Sequence, residues 1–223
     1  MKWFRSEKTL HRRAALRYNA HMGAIAILIP AAGASRRMRG TDKLLIEVGG
    51  KPLLRRQAEA ALSAANHVCV AIPGADHPRA AALAGLPVQV VEVPDADLGM
   101  SSSFRRGVAL MPSGLEAIMV LPADMPELGP DDLRAVIDAY RLSPRPVLVQ
   151  ATGEDGSPGH PVLFPSDCFP ALAALNGDKG ARNVLSANRH RLRQVALPGQ
   201  RALIDLDTPE AWAQWQACRQ AAE

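Results

Sequence analysis

Short solid apolar runs alternate along this chain with stripes at helical spacing. Ala24 to Ile29 is unbroken apolar sequence between Gly23 and Pro30. A run of that length between turn residues reads as a strand buried on both faces. Past a Gly49-Gly50 break, Leu53, Leu54, Gln57, Ala61 and Leu62 keep a helical spacing, with Pro52 suited to the first turn. Val68 to Ile72 predicts a second strand, closed by Pro73-Gly74. An alanine-rich helix is expected over about 77–84 and a third strand over 88–93.

The alternation continues toward the carboxyl end. Phe104, Val108 and Met111 stand at i, i+4 and i+7 behind Ser101, Ser102 and Ser103. This reads as a helix with serine at its N-cap and spare hydroxyls at a positively polarised end. Ile118 to Leu121 predicts a fourth strand, and Asp131 to Arg141 a helix with Leu133, Val136, Ile137 and Tyr140 on one side. Val147 to Ala151 and Val162 to Phe164 predict two more strands, with Gly159-His160-Pro161 read as part of the turn between them. The stretch from Leu203 opens as a short strand, and because Asp205 and Asp207 alternate with Ile204 and Leu206 the two carboxylates share a face. It runs into a last helix, with Thr208 as N-cap and Pro209 at the first position. Strand, helix, strand in this order implies an α/β fold with a mostly parallel sheet. No internal repeat or low-complexity linker interrupts it, which favours one domain over 23–223.

Composition narrows the function classes. The chain has 223 residues, 48% of them apolar, enough for one large core. Aromatics are only 4%, which argues against stacking single-stranded nucleic acid. The net charge is +4, but residues 1–21 carry +5, leaving the rest at −1. The basic character therefore belongs to the segment 1–22 rather than to a nucleic-acid-binding face. That segment lacks the apolar core of a secretory signal. Because Met22 directly precedes the first strand, it reads as an upstream extension dispensable for the fold, ahead of a disordered tail or a transit peptide. No run is long enough to cross a membrane. Cys69, Cys168 and Cys218 match no metal spacing, which suits a reducing cytoplasm, and Cys69 lies in an apolar run as plain core.

The candidate chemistry begins after the first strand. Ala31-Ala32-Gly33-Ala34-Ser35 is a small-residue turn, and Arg36, Arg37 and Lys43 follow. Small residues let backbone N–H groups reach phosphate oxygens, and cations neutralise them. The segment is not a P-loop, which needs Gly-Lys-Ser/Thr, nor a dinucleotide fingerprint. There is no Gly-x-Ser-x-Gly elbow anywhere in the chain. Asp124, set between Pro122 and Pro126, follows a strand's carboxyl end, where such sheets bind ligands. With Asp207 it offers the carboxylate pair that Mg²⁺ takes while water and phosphate complete its shell. His160 reads either as structural or as a substrate contact, and the glycine-rich stretch 176–182 either as a connection or as a substrate loop. A basic loop, metal carboxylates and a nucleotide together describe nucleotidyl transfer.

The segments AAGASRRM with Lys43, GMSSSFRRG (99–107), LPADMP (121–126), GSPGHPVLF (156–164), NGDKGAR (176–182) and DLDTPE (205–210) occur in one order over nearly the whole chain. In these the chain resembles the nucleotidyltransferases of the molybdenum cofactor, most closely the molybdenum cofactor cytidylyltransferases. The resemblance implies a three-layer Rossmann-like nucleotidyltransferase fold and Mg²⁺-dependent transfer of CMP from CTP to the terminal phosphate of a molybdopterin-type cofactor, releasing pyrophosphate. It implies Arg36 and Lys43 on the phosphates, and Ala31, Ala32, Gly33, Ser101, Ser102 and Ser103 around base and ribose. Asp124 and Asp207 would hold the metal, and His160, Asp178, Lys179 and Arg182 would face the acceptor. Partners would be CTP, the cofactor and a recipient molybdoenzyme in the cytoplasm, with no nucleic acid or membrane. Related guanylyltransferases look like Leu-Ala-Gly-Gly where this chain has Pro30-Ala31-Ala32-Gly33, and the Ala32 methyl would crowd a purine more than a pyrimidine. Guanylyl transfer to the same cofactor, transfer to a sugar or alditol phosphate, and a non-catalytic cofactor carrier are the alternatives. The chain departs from the family pattern in one place: five positions separate Met38 from Lys43, where the family has four.

Overall fold

The computed structural model describes residues 23–144, 146–177 and 180–220. The basic extension over 1–22 and two residues proposed to face the acceptor, Asp178 and Lys179, lie outside the described residues.

The apolar run after Gly23 forms β1, Ala24–Pro30, an interior strand of a seven-stranded sheet. Ile25, Ile27 and Ile29 pack into one core, and Ala26 and Leu28 into another on the opposite face. Both faces are covered, so the strand is apolar throughout rather than alternating. Each fully buried Ile or Leu here contributes roughly 1.5–3 kcal/mol.

A two-residue Gly49-Gly50 turn, both glycines at positive φ, joins β2, Glu47–Val48, to β3, Lys51–Pro52. The next elements are α1 (Leu53–Ala64), β4 (His67–Ile72), α2 (Pro78–Ala82), β5 (Gln89–Glu92), α3 (Met100–Leu110), β6 (Leu115–Val120) and α4 (Pro130–Arg141). They are followed by β7 (Leu148–Thr152), β8 (Pro158–Pro165), α5 (Phe169–Ala173), α6 (Arg182–Ala187), β9 (Leu192–Ala196) and α7 (Pro209–Gln220). The strand order is β5-β4-β1-β6-β8-β7-β9, and only β8 runs against the others. Leu53, Leu54, Leu133, Val136, Trp212 and Trp215 bring α1, α4 and α7 onto one face, while Phe104, Leu172 and Val184 bring α3, α5 and α6 onto the other. The result is the expected three-layer α/β architecture with a mostly parallel sheet. Among the described residues no helix is long and apolar enough to cross a membrane.

Three local expectations are corrected. Gly99, not a serine, occupies the N-cap of α3, and the serines lie inside the first turns. Gly99 takes φ 105, ψ 175, a backbone conformation that suits glycine. His160 is not in a turn: β8 extends back through Pro158, Gly159 and His160. Residues 203–206 are not a strand: the N–H groups of Leu203 and Ile204 both turn back to the Gln200 carbonyl (2.9 and 3.2 Å), and the chain is tied down on either side of them. His160 N–H donates to the Ala202 carbonyl (2.8 Å), and Leu206 N–H to the Asp124 carbonyl (3.1 Å).

At Gly159 this packing leaves no room for a side chain. A Cβ there would lie 2.1 Å from the Ala202 carbonyl oxygen, which already accepts from His160. Gly159→Ala should therefore push the 202–207 segment off β8. Overpacking of this kind costs about 1–3 kcal/mol, and thermal unfolding should show it as a fall of roughly 2–4 °C per kcal/mol at this chain length. An unchanged midpoint would mean that the segment is free to move away.

Candidate active site

The parallel strands β1, β4, β5 and β6 all end at one edge of the sheet, and the loops that follow them meet there. This is the edge at which open α/β sheets bind ligands. Asp124 comes from the loop after β6. Gln57 of α1 steadies that loop by donating to the Met125 carbonyl (2.8 Å) in the interior. The Leu206 N–H bond to the Asp124 carbonyl then brings Asp207 alongside.

Between these carboxylates sits Lys43. Its Nζ donates to Asp124 Oδ2 (2.5 Å) and to Asp207 Oδ1 (2.6 Å). Arg37 Nη2 pairs with the other oxygen of Asp207 at 2.5 Å. The Lys43 side chain is 14% exposed and each aspartate 21%, so solvent screens these pairs less than it screens surface pairs. Burial alone would lower the Lys43 pKa, but the two carboxylates outweigh it and raise it. Burial likewise works to raise Asp207, and Lys43 and Arg37 overcome it and hold it low. Asp205 completes the acidic group. Its pKa is pushed up, first by burial and then by Asp207 and Asp124.

His160 faces the same cleft. Its ring meets solvent, yet the surrounding protein desolvates it and lowers its pKa, against Asp124 and Asp205, which raise it, and with Arg182, which lowers it further. With an ordinary value of about 6.5, a lowered pKa leaves the imidazole neutral at pH 7, a hydrogen-bonding group rather than a cation.

Beside the cluster lies an open pocket of about 380 Å³. Ala32, Gly33, Arg36, Pro73, Arg79 and Asp97 are among the residues that line it. A Cβ at Gly33 would meet nothing within 4 Å, so the backbone there is open to a ligand. Arg36 Nη2 pairs with Asp97 (3.1 Å), both side chains being largely exposed at the rim.

The proposed site residues thus fall into groups. Lys43, Asp124 and Asp207 converge, with His160 and Arg182 close enough to act on each other electrostatically. Ala32, Gly33 and Arg36 line the pocket. Ala31 lies behind it, with its N–H bonded to the Ala71 carbonyl (2.7 Å) and its carbonyl to Arg79. Ser101, Ser102 and Ser103 are buried, and the hydroxyls of Ser101 and Ser102 accept from Arg105. Their neighbour Arg105 also reaches the Leu175 carbonyl (2.8 Å), tying α3 to the stretch before Asp178.

Sequence reasoning placed Arg37 in the basic loop without giving it a role of its own, and it missed Arg79. Arg37, not its neighbour Arg36, reaches the carboxylates. Arg79 is buried, and nothing in an alanine-rich helix marked it out. Between Met38 and Lys43 the chain makes a turn in which Arg39 and Gly40 both have positive φ, and Lys43 reaches the aspartates.

Among the described residues no three His, Cys, Asp or Glu side chains converge as a ready-made metal cage. Asp124 and Asp207 are nonetheless hard oxygen donors close enough to share one ammonium group. Such a pair fits a divalent ion that draws its other ligands from water and phosphate.

The family described as MobA-like NTP transferase domain matches residues 27–194. A molybdenum cofactor guanylyltransferase of Cereibacter sphaeroides is 34% identical over 186 residues, 82% of this chain and 91% of that protein. The purine catabolism protein PucB of Bacillus subtilis is 31% identical over 194 residues, with the same shares. The crystal structure of Rv0371c from Mycobacterium tuberculosis superposes with a TM-score of 0.75 at 28% identity, covering 87% of this chain and 98% of that one. That protein has also been solved in complex with manganese.

Proposed function

We propose that this chain, a nucleotidyltransferase belonging to the MobA-like NTP transferase family, moves CMP from CTP to the terminal phosphate of a molybdopterin-type cofactor. The observation that carries this reading is the meeting of Lys43, Asp124 and Asp207 beside a pocket open at Gly33. An oxygen of the acceptor phosphate bonds to the α-phosphorus, the bond from that phosphorus to the bridging oxygen breaks, and pyrophosphate leaves. The nucleophile is already an anion, so no strong general base is needed. Charge repulsion and alignment are the barriers, and fixed cations and positioning lower them.

Lys43 and Arg37 would turn from the carboxylates to the triphosphate, with Arg36 at the pocket rim. Asp124 and Asp207 would hold Mg²⁺, which when bound neutralises phosphate charge. Ala32 and Gly33 would border base and ribose, with Ala31 and Ser101 to Ser103 supporting them from behind. His160 and Arg182 would face the acceptor, together with Asp178 and Lys179. The free cysteines Cys69, Cys168 and Cys218 suit a reducing cytoplasm.

The Ala32 methyl favours a pyrimidine. The guanylyltransferase relative favours the other base. Purified protein should be given each nucleoside triphosphate with Mg²⁺ and, in turn, molybdopterin-type cofactor and sugar or alditol phosphates, while pyrophosphate is measured. Release from CTP with the cofactor well above that from GTP is the expected result. Preference for GTP rejects the base assignment, preference for a sugar phosphate rejects the acceptor, and tight binding without release favours a carrier.

A further inference from the structure

Arg79 has no part in the transfer as described, yet among the described residues it is the largest fully buried polar side chain, only 2% exposed. A buried guanidinium is costly unless its N–H groups find partners. Four of its five donors do. Nε donates to Asp42 Oδ2 and Nη2 to Asp42 Oδ1, both at 2.8 Å, forming a two-pronged fork. Nη1 donates to the Ala31 carbonyl (2.6 Å), and Nη2 also to Ser35 Oγ (3.2 Å).

These partners have one thing in common. Ala31 opens the loop after β1, Ser35 is its left-handed turn, and Asp42 closes it one residue before Lys43. Asp42 Oδ1 also accepts from Leu44 N–H (3.0 Å), capping the 3-10 turn Lys43–Leu45. A single side chain from α2 thus closes both ends of the loop. The loop between them carries two residues at positive φ other than glycine, Ser35 and Arg39, a shape that needs support from outside.

We propose that Arg79 is a positioning residue: through Asp42 it sets where the Lys43 ammonium lies relative to Asp124 and Asp207. This deepens the transfer reading and rests on it for the role of Lys43. Lysine at position 79 keeps the charge but not the planar fork, and misplacing a reacting group by about 1 Å can cost up to 10²-fold.

The test compares Arg79→Lys, and Asp42→Asn as a second route to the same fork, in the native and Lys43→Ala backgrounds. In the native background kcat should fall roughly 10- to 100-fold for Arg79→Lys. In the Lys43→Ala background it should fall less than about twofold, because a residue acting through Lys43 has nothing left to position. Equal losses in both backgrounds, or no loss in the first, overturn the proposal. A second readout needs no turnover: acylation by acetic anhydride of the full chain without nucleotide, followed by digestion and mass spectrometry of the peptide that carries Lys43. Lys43 should be labelled severalfold faster in Arg79→Lys and in Asp42→Asn than in the native chain, and unchanged labelling in both overturns the proposal. If the native chain releases no pyrophosphate from any nucleotide and acceptor, the transfer reading fails, while the labelling still judges Arg79.

Discussion

Lys43→Ala should lower pyrophosphate release by roughly 10²–10³, the usual loss for one group that stabilises transition-state charge. In the free protein Lys43 neutralises two half-buried aspartates, with Asp205 as a third acid nearby. The ammonium and a divalent ion therefore compete for the same oxygens until a triphosphate gives Lys43 another partner. Removing it should weaken catalysis and, at the same time, tighten Mn²⁺ binding in the absence of nucleotide, read by titration of the free ion. A fold defect alone would not move these two quantities in opposite directions. Unchanged turnover removes Lys43 from the mechanism, and unchanged Mn²⁺ binding means that the carboxylates are not the ion's ligands.

Asp124→Asn should lower turnover by a similar or greater factor, because a metal-held phosphate accounts for several kcal/mol of charge stabilisation, roughly 10²–10³ in rate or more. Asparagine keeps the shape and can still accept from Lys43, so the variant should fold. The lost charge falls on the ion, and Mn²⁺ binding should weaken where Lys43→Ala strengthens it. The contrast matters because the two side chains touch each other. If both variants shift Mn²⁺ binding in the same direction, the ammonium and the ion are not rivals for one place. A normal rate for Asp124→Asn would remove Asp124 from the metal role.

Much of this fold was legible because its signals are local. β1 is a solid apolar run since both its faces are covered. The stripe of α4 and the Thr208 cap of α7, whose hydroxyl accepts from Ala211 N–H at 3.2 Å, depend on neighbours within one turn. Where the reading failed, backbone conformation and bonding had overridden the side-chain pattern. The 202–207 segment has the alternation of a strand, but Leu203 and Ile204 N–H turn back to the Gln200 carbonyl, while Ala202 and Leu206 are tied to β8 and to the loop after β6. The three serines look like caps, yet the preceding glycine takes the conformation that starts the helix.

From the sequence alone came the order of elements, the covered parallel strands, the basic loop and Asp124 at a strand's carboxyl end, because periodicity and turn chemistry act over a few residues. Tertiary structure alone decided that Arg37 and not Arg36 meets the aspartates, that Asp205 joins them, and that a buried arginine closes the loop holding Lys43. Which of two adjacent cations finds a carboxylate depends on side-chain direction in a tight turn. What a buried guanidinium grips depends on segments far apart in the chain, and no local pattern encodes either.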